Sequence, residues 1–568
     1  MTITGNQAVV KMLQAYGVKH VFGLPGDTSM ALYEAFREAG HEITHILTRD
    51  ERSASFMADV YARVSHRPGV CEGPSGGGAT YIIPGVAEAN YSSTALIVLT
   101  TDIPLRDEGR NVLTEMDQES LFAGITKWHT KVKRADKIPE MMRRAFRIAT
   151  AGRPGAVHIA LPQDILNETL AEGDVYADEP CRVYPSYRCR ADASSVARAA
   201  ELLLAAKRPV LIAGGGAVIS QAWTEITALA ESLAMPVATS INGKGSIAED
   251  HTLSIGVVGG NGGRAYANEM VREADLILFV GCKTDSVTTM NWTLPPLGGS
   301  QTIVQIDVDP AEIGNSYKTA LGLVGDAKLV LGDLLQAVRE KRGGGWPPFF
   351  ARTSEIGTRS HDWWKEFVAQ ARSPAVPVKS QRIIQALQAA LPPDYLIVAD
   401  PGTMTPFTAA YFRSAAGRRV IIPRAFGGLG YAIPGVVGAQ LARPEATAVG
   451  LVGDGSFAMA AGEIETIHRL GLPVILIQFN NGCFGWIKTL QHFQHNRHYY
   501  NVDFADTDPV AVARGFGLHA LRIERAEDLE AAIQDAIARR EATFIDVPTA
   551  PEYIDVPPVA KWEELAGK

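Results

Sequence analysis

Two short polar stretches, Gly453-Asp454-Gly455 and Asn480-Asn481, flank residues 456–479 and carry the oxygen types that hold a small hard cation. Asp454 offers a carboxylate and Asn481 an amide carbonyl, while the glycines let backbone come close to a phosphate. Either stretch alone is also an ordinary turn. What lies around them changes that. Residues 448–452 (Ala-Val-Gly-Leu-Val) read as a buried strand and residues 473–479 as a second, with residues 458–470 helical between them. In such a βαβ unit the carboxyl ends of parallel strands share one edge of the sheet, so Asp454 and Asn481 are expected side by side there. Magnesium held this way completes its shell with phosphate oxygens and water, and the spacing points to a magnesium-diphosphate site.

A second group of chemistry-bearing residues lies near the N-terminus. Leu47-Thr48-Arg49-Asp50-Glu51-Arg52 ends a strand and starts a helix through Ala54, Ala58 and Tyr61, which places Glu51 at the junction. An acid there is either a partner for the helix dipole or a proton donor at a strand end. Asp27, after Gly23-Leu24-Pro25-Gly26, is either an N-cap for a helix over residues 29–39 or a second proton-transfer group.

The elements that must position these residues alternate strand and helix along most of the chain, the pattern of parallel sheets covered on both faces. With 568 residues, about three α/β domains are expected at roughly 150–200 residues each: 1–175, 190–345 and 375–555. Residues 174–192 read as a linker, and the glycine-proline run Gly343 to Pro348 and Ser373-Pro374 bracket a helical connection. The middle segment has the strand 209–213 followed by Gly214-Gly215-Gly216 and later strands at 275–280 and 302–307, a Rossmann-like unit lacking the third glycine of a dinucleotide fingerprint.

Hydrophobic residues make up 46% and charged residues 20%, as in ordinary globular proteins, and a net charge of −8 argues against nucleic acid as partner. Five scattered cysteines make no disulfide framework or zinc pair, so a reducing cytoplasm is expected. No signal peptide is visible. The uncharged stretch at residues 425–442 is broken by Gly427, Gly428, Gly430, Pro434, Gly435 and Gly438, which fits a loop feeding a helix better than a membrane span.

The Gly453-Asp454-Gly455 and Asn480-Asn481 pair resembles the signature of thiamine diphosphate enzymes such as acetolactate synthases, benzoylformate decarboxylase and pyruvate decarboxylase, and the resemblance covers nearly the whole chain. It implies two thiamine diphosphate-binding folds around the central Rossmann-like domain. It also implies Mg²⁺ on Asp454, Asn481 and the backbone carbonyl of Cys483, with Gly402, Thr403, Met404, Gly427, Gly453, Gly455, Ser456, Phe484 and Gly485 near the cofactor. Leu429 falls where the family places a bulky apolar residue beneath the cofactor, though a buried loop leucine is the plainer alternative. Glu51, followed by Tyr61-Ala62-Arg63, matches the glutamate that hydrogen-bonds the aminopyrimidine ring and switches on the thiazolium C2. A raised pKa would suit that role.

Departures from the family are as informative. Val70-Cys71-Glu72-Gly73-Pro74-Ser75 looks like the acetolactate synthase loop but carries no benzoylformate decarboxylase histidine. Asp27 resembles the active-site acid of pyruvate decarboxylase, yet the paired histidines of those enzymes are missing. Thr114 stands where acetolactate synthases have a glutamine, with Gln118 nearby as a polar substitute. Leu490 takes the place of a specificity tryptophan, with Trp486 as another pocket residue. Lys283-Thr284-Asp285-Ser286 lacks the family's arginine. FAD fills the middle domain of acetolactate synthases and is missing from benzoylformate decarboxylase, so the resemblance allows FAD or nothing there. The expectation is an acetolactate synthase-like lyase or carboligase acting on a 2-oxo acid or related small carbonyl compound, as a homodimer or homotetramer. The alternatives are a simple 2-oxo acid decarboxylase and a non-catalytic regulatory homologue, the last disfavoured by the presence of Glu51, Asp454 and Asn481.

Overall fold

Short apolar strands separated by amphipathic helices assemble into three six-stranded parallel sheets in a computed structural model that describes residues 1–342 and 349–567. The first sheet comprises β1 (His20–Gly23), β2 (Thr44–Leu47), β3 (Gly69–Gly73), β4 (Leu96–Asp102), β5 (Trp128–Lys131) and β6 (Ala156–Pro162), in the order β2-β1-β3-β4-β6-β5. The second comprises β7 (Pro209–Ala213), β8 (Val237–Thr239), β9 (Ser254–Val257), β10 (Leu276–Val280), β11 (Thr302–Asp307) and β12 (Leu321–Val324), in the order β9-β8-β7-β10-β11-β12. The third comprises β13 (Tyr395–Ala399), β14 (Val420–Ile421), β15 (Thr447–Gly453), β16 (Ile475–Asn480), β17 (His519–Arg522) and β18 (Thr543–Pro548), in the order β14-β13-β15-β16-β18-β17. The first and third sheets therefore share one topology. β4 and β13 are buried from end to end, as sheets covered on both faces require. The expected connection at Gly343 to Pro348 lies outside the described residues.

The first and third sheets are joined through two helices, α1 (Glu51–Ser65) and α2 (Ala432–Ala442). Helix α1 starts where the Asp50 side chain accepts from the Arg52 amide at 2.7 Å, and it stops at His66, which adopts a left-handed conformation. Nearly every residue of α1 is buried, so it has no solvent face. It can lie this deep because α2 offers small residues. A Cβ on Gly438 would overlap the carbonyl oxygen of Met57, and one on Gly435 would crowd Val60. As expected from its glycines, the 425–442 stretch is a loop feeding α2. Among the described residues no helix is long and apolar enough to cross a membrane.

A buried polar network fixes this contact. Tyr431 donates to Asp59 at 2.6 Å, Arg63 pairs with Asp59 at 3.0 Å and with Glu88 at 3.2 Å, and Glu88 accepts the amides of Arg424, Ala425 and Phe426. Removing the cation leaves two buried carboxylates without their ion-pair partner. Arg63→Ala is expected to cost about 3–5 kcal/mol, read as a lower urea unfolding midpoint.

Two local expectations need correction. The helix expected over residues 458–470 is split into Asp454–Ala460 and Ile464–Arg469 by a tight turn at Ala461–Glu463. The turn lets the Glu463 carboxylate reach the Arg49 amide at 2.8 Å and the Thr466 hydroxyl at 2.8 Å, so a contact with the first sheet's domain overrides the helical period. Asp27 does not cap the helix that follows it. The chain forms a turn at Asp27–Ser29 in which Ser29 bonds Gly26, and only then the helix Met30–Ala39.

Candidate active site

β13, β15 and β16 are adjacent and parallel, so their carboxyl ends converge at one edge of the third sheet. Gly453 is in register with Phe479, which brings the next residue of one strand, Asp454, beside Asn481 at the end of the other. Asp454 Oδ2 accepts the amides of Asn481 at 3.0 Å and Gly482 at 2.7 Å, and Oδ1 accepts that of Gly455 at 2.8 Å. Asn481 Oδ1 accepts from the Cys483 amide at 3.3 Å, and the Cys483 carbonyl accepts from the Gly485 amide at 2.8 Å. Burial pushes the Asp454 carboxyl up to about 6 despite these donors, which is the situation of an anion lacking its countercharge.

A cavity of ≈ 390 Å³ opens over this edge. Gly402, Thr403, Met404, Gly427, Leu429, Gly453, Asp454, Gly455, Ser456, Asn481, Cys483, Phe484, Gly485 and Trp486 all line it. Gly402 and Gly427 have positive φ, so bare backbone forms part of the wall. Asp454, Asn481 and Cys483, which carry a carboxylate, an amide and a main-chain carbonyl, are all among the lining residues. Among the described residues no group of three or more His, Cys, Asp or Glu could hold a metal. The donor set thus fits a hard cation that takes its remaining ligands from a phosphate and water, as a diphosphate cofactor supplies.

Glu51 is not among the residues lining this cavity. The start of α1 is tied to the far end of the helix that begins at Asp454, with the Arg52 guanidinium donating to the Met459 carbonyl at 2.7 Å. Glu51 is only 6% exposed, and Cβ atoms on Gly73 and Gly78 would sit 3.5 and 3.2 Å from its side chain. Burial raises its pKa, and the nearby carboxylates of Asp50 and Glu72 push in the same direction. Asp27 is exposed on the same sheet edge, next to Gly26, where a Cβ would overlap Pro74. Thr114 is exposed, adopts a φ of 70°, and bonds the Ser75 hydroxyl at 2.7 Å. Ser75 in turn bonds Thr28.

Two of the expected pocket residues face elsewhere. Gln118 is fully buried with its amide engaged by the Thr100 hydroxyl and the Thr101 carbonyl, so the core claims it. Leu490 packs with Phe493 against Val556, Val559 and Trp562 of the C-terminal segment. Trp486 does both, lining the cavity and packing on Trp562 with ring centroids 4.3 Å apart.

Other residues at the cavity carry no motif. Asn261 comes from the loop after β9, and among the described residues its buried side-chain oxygen has no donor and the buried Nε of Arg424 has no acceptor. Glu552 is buried behind the wall, accepts from the Thr403 hydroxyl, and is pushed up to about 7 by burial. A Cβ on Gly485 would overlap both the Glu552 carboxyl and the Asn481 amide nitrogen. Gly485→Ala is therefore expected to swing Asn481 and weaken Mg²⁺ binding by about 10–100-fold, measured by metal titration.

Family models for thiamine pyrophosphate enzymes match the chain in three places: the N-terminal TPP binding domain at residues 3–121, the central domain at 196–334 and the C-terminal TPP binding domain at 400–547. The chain belongs to the thiamine pyrophosphate enzymes, as the paired sheets and the strand-end site define them. Its curated relatives narrow the class. It is 33% identical to a probable acetolactate synthase large subunit of Methanocaldococcus jannaschii, over 96% of this chain and 91% of that one. It is 32% identical to an acetolactate synthase of Arthrospira platensis and 30% identical to the acetolactate synthase isozyme 3 large subunit of Escherichia coli, each over 96% of this chain and 94% of the relative. The protein is an acetolactate synthase-like carboligase dependent on thiamine pyrophosphate.

Proposed function

We propose that this enzyme joins a 2-oxo acid donor to a second small carbonyl compound, with Mg²⁺ as well as thiamine diphosphate bound at the end of β15. The observation that carries the reading is that Asp454, Asn481 and Cys483 line one glycine-walled cavity, with Asp454 bonded to the Asn481 amide. When bound, the cofactor supplies an electron sink for the carbon that loses its carboxylate or acyl partner. Asp454 and Asn481 would hold the metal and, through it, the diphosphate. Leu429 and Trp486, both in the cavity wall, would contact the cofactor and the substrate. Glu51 would hold a proton for the aminopyrimidine ring. Because Glu51 lies away from the cavity of its own chain, a second copy delivers it, and the active unit is a homodimer or homotetramer. We place it in the cytoplasm. Relatives named as large subunits support a smaller partner chain as well.

A mixture of Glu51→Gln and Asp454→Ala chains, each inactive alone, is expected to regain activity through hybrid dimers that hold one intact site. No recovery after verified subunit exchange would refute the shared site. A second cavity of ≈ 370 Å³, lined by Gly214, Gly215, Gly216, Lys283, Asp285 and Asp307 at the strand ends of the middle sheet, supports FAD as an added ligand. A chain that stays colourless after incubation with FAD and desalting removes that part.

Simple decarboxylation is the second reading. It is favoured by Asp27, whose exposed side chain has no hydrogen bond among the described residues and is free to exchange a proton with a substrate. Incubation with pyruvate or an aryl 2-oxo acid separates the two: an acyloin-type product supports ligation, and free aldehyde supports decarboxylation. No turnover of any 2-oxo acid would favour a regulatory homologue.

A further inference from the structure

Two polar side chains in the wall of the active-site cavity have no task in the reading above: Arg424 and Asn261. Arg424 is the only cationic side chain among the described residues that line this cavity, and Asp454 is the only acidic one. The Arg424 guanidinium makes no hydrogen bond or ion pair among the described residues, and its Nε is buried. Asn261 is 8% exposed, and its carboxamide likewise makes no hydrogen bond among the described residues. Groups of this kind are costly to leave unpaired, so two in one cavity point to a ligand that satisfies both.

The backbone holds each residue in place while leaving its side chain free. The amides of Arg424, Ala425 and Phe426 donate to the buried Glu88 carboxylate at 3.2, 3.3 and 2.8 Å. Asn261 sits between Gly260, whose amide donates to the Val287 carbonyl at 2.8 Å, and Gly262, whose amide donates to the Pro558 carbonyl at 2.8 Å. Gly262 has a φ of 71°, and a Cβ there would overlap Ala409 and crowd the backbone of Pro406, so this loop of the middle domain lies hard against the helix Met404–Tyr411. The acids whose charge Arg424 feels are Asp285 and Glu88, and both are engaged elsewhere. Asp285 accepts the amides of Val287 and Thr288 and the Thr288 hydroxyl, and Glu88 pairs with Arg63.

The missing ligand is an anion, since a guanidinium presents donors alone and keeps its charge when half-buried. Arg424 also borders the cavity of the middle sheet, but Asn261 lines the active-site cavity alone, which assigns the pair to that side. The diphosphate of the cofactor is answered by a metal on Asp454 and Asn481. What remains for Arg424 is the other anion of the reaction, the substrate carboxylate.

We propose that Arg424 and Asn261 form the carboxylate-binding site for a 2-oxo acid: the guanidinium and the Asn261 amide nitrogen donate to its two oxygens. A neutral aldehyde has nothing to accept these donors, so the pair also sets the preference for charged over uncharged substrates. The inference rests on the 2-oxo acid reading above.

Binding of an inert probe tests it. Oxamate has the carboxylate and shape of pyruvate, but its amide carbonyl does not react; it is titrated by calorimetry into the full-length protein saturated with thiamine diphosphate and Mg²⁺. Arg424→Gln is expected to weaken oxamate binding by about 10–100-fold and Asn261→Ala by roughly 3–10-fold, with thiamine diphosphate affinity unchanged in both. Arg424→Lys keeps the charge without the planar fork and falls between wild type and Arg424→Gln. If Arg424→Gln does not fold, Arg424→Lys and Asn261→Ala decide. Wild-type oxamate affinity in the Arg424 variants overturns the proposal. So does an equal fall in thiamine diphosphate affinity, which would give Arg424 to the phosphates of the cofactor. Failure of oxamate to bind the wild-type protein contradicts the 2-oxo acid reading first and takes this inference with it.

Discussion

Glu51→Gln lowers kcat by about 10²–10⁴-fold, the range a positioned proton-transfer group supplies, while thiamine diphosphate and Mg²⁺ still bind. The substitution keeps the shape and removes the proton that the carboxyl moves. Glu51 suits that task because its position in α1 leaves it 6% exposed, beside two other carboxylates, with its pKa raised by burial. The diphosphate end is untouched, since no atom of Glu51 lines that cavity. The split is the diagnostic: a large loss of kcat with cofactor affinity retained. Equal losses of binding and rate would mean that Glu51 serves as a structural residue of the α1 terminus.

Asp454→Asn gives the opposite pattern. It keeps an oxygen but removes the charge that burial has already made costly, and one carboxylate oxygen that accepts the Asn481 and Gly482 amides is replaced or turned away. Mg²⁺-dependent cofactor binding is expected to fall by more than about 100-fold, beyond the roughly 10–100-fold that changes behind a metal's direct ligands produce. Equilibrium titration of thiamine diphosphate at saturating and at zero Mg²⁺ measures it. The unfolding midpoint should move little, because Asp454 is not part of the Arg63 network that ties the first and third sheets together. Wild-type affinity in this variant would remove Asp454 from the metal site.

These outcomes follow from residues whose placement is local. Asp454 and Asn481 each sit one residue past a strand of mostly apolar residues, and parallel pairing alone brings two such ends together. Glu51 was legible for the same reason, at a strand-to-helix junction. Features decided by distant packing were not. Gln118 has the chemistry of a substrate-binding side chain, but the Thr100 hydroxyl and Thr101 carbonyl of β4 capture its amide in the core. Leu490 lies about one helical turn beyond the cavity edge, and its facing partner Trp562 comes from the last helix, Ala560–Leu565. Asn261 and Arg424 in the cavity wall, and Glu552 behind it, come from three separate segments and belong to no spacing that a linear reading detects. The break at Ala461–Glu463 belongs with these, because the bond that causes it comes from Arg49, some 400 residues earlier.

The central claim is that a metal-clamped diphosphate cofactor binds at the end of β15. Calorimetric titration of thiamine diphosphate into the purified, metal-stripped protein, with and without added Mg²⁺, tests it most directly. The account predicts one cofactor bound per chain when Mg²⁺ is present and a binding isotherm that collapses when it is withheld. Saturable binding of equal strength in both samples, or no heat in either, would contradict it.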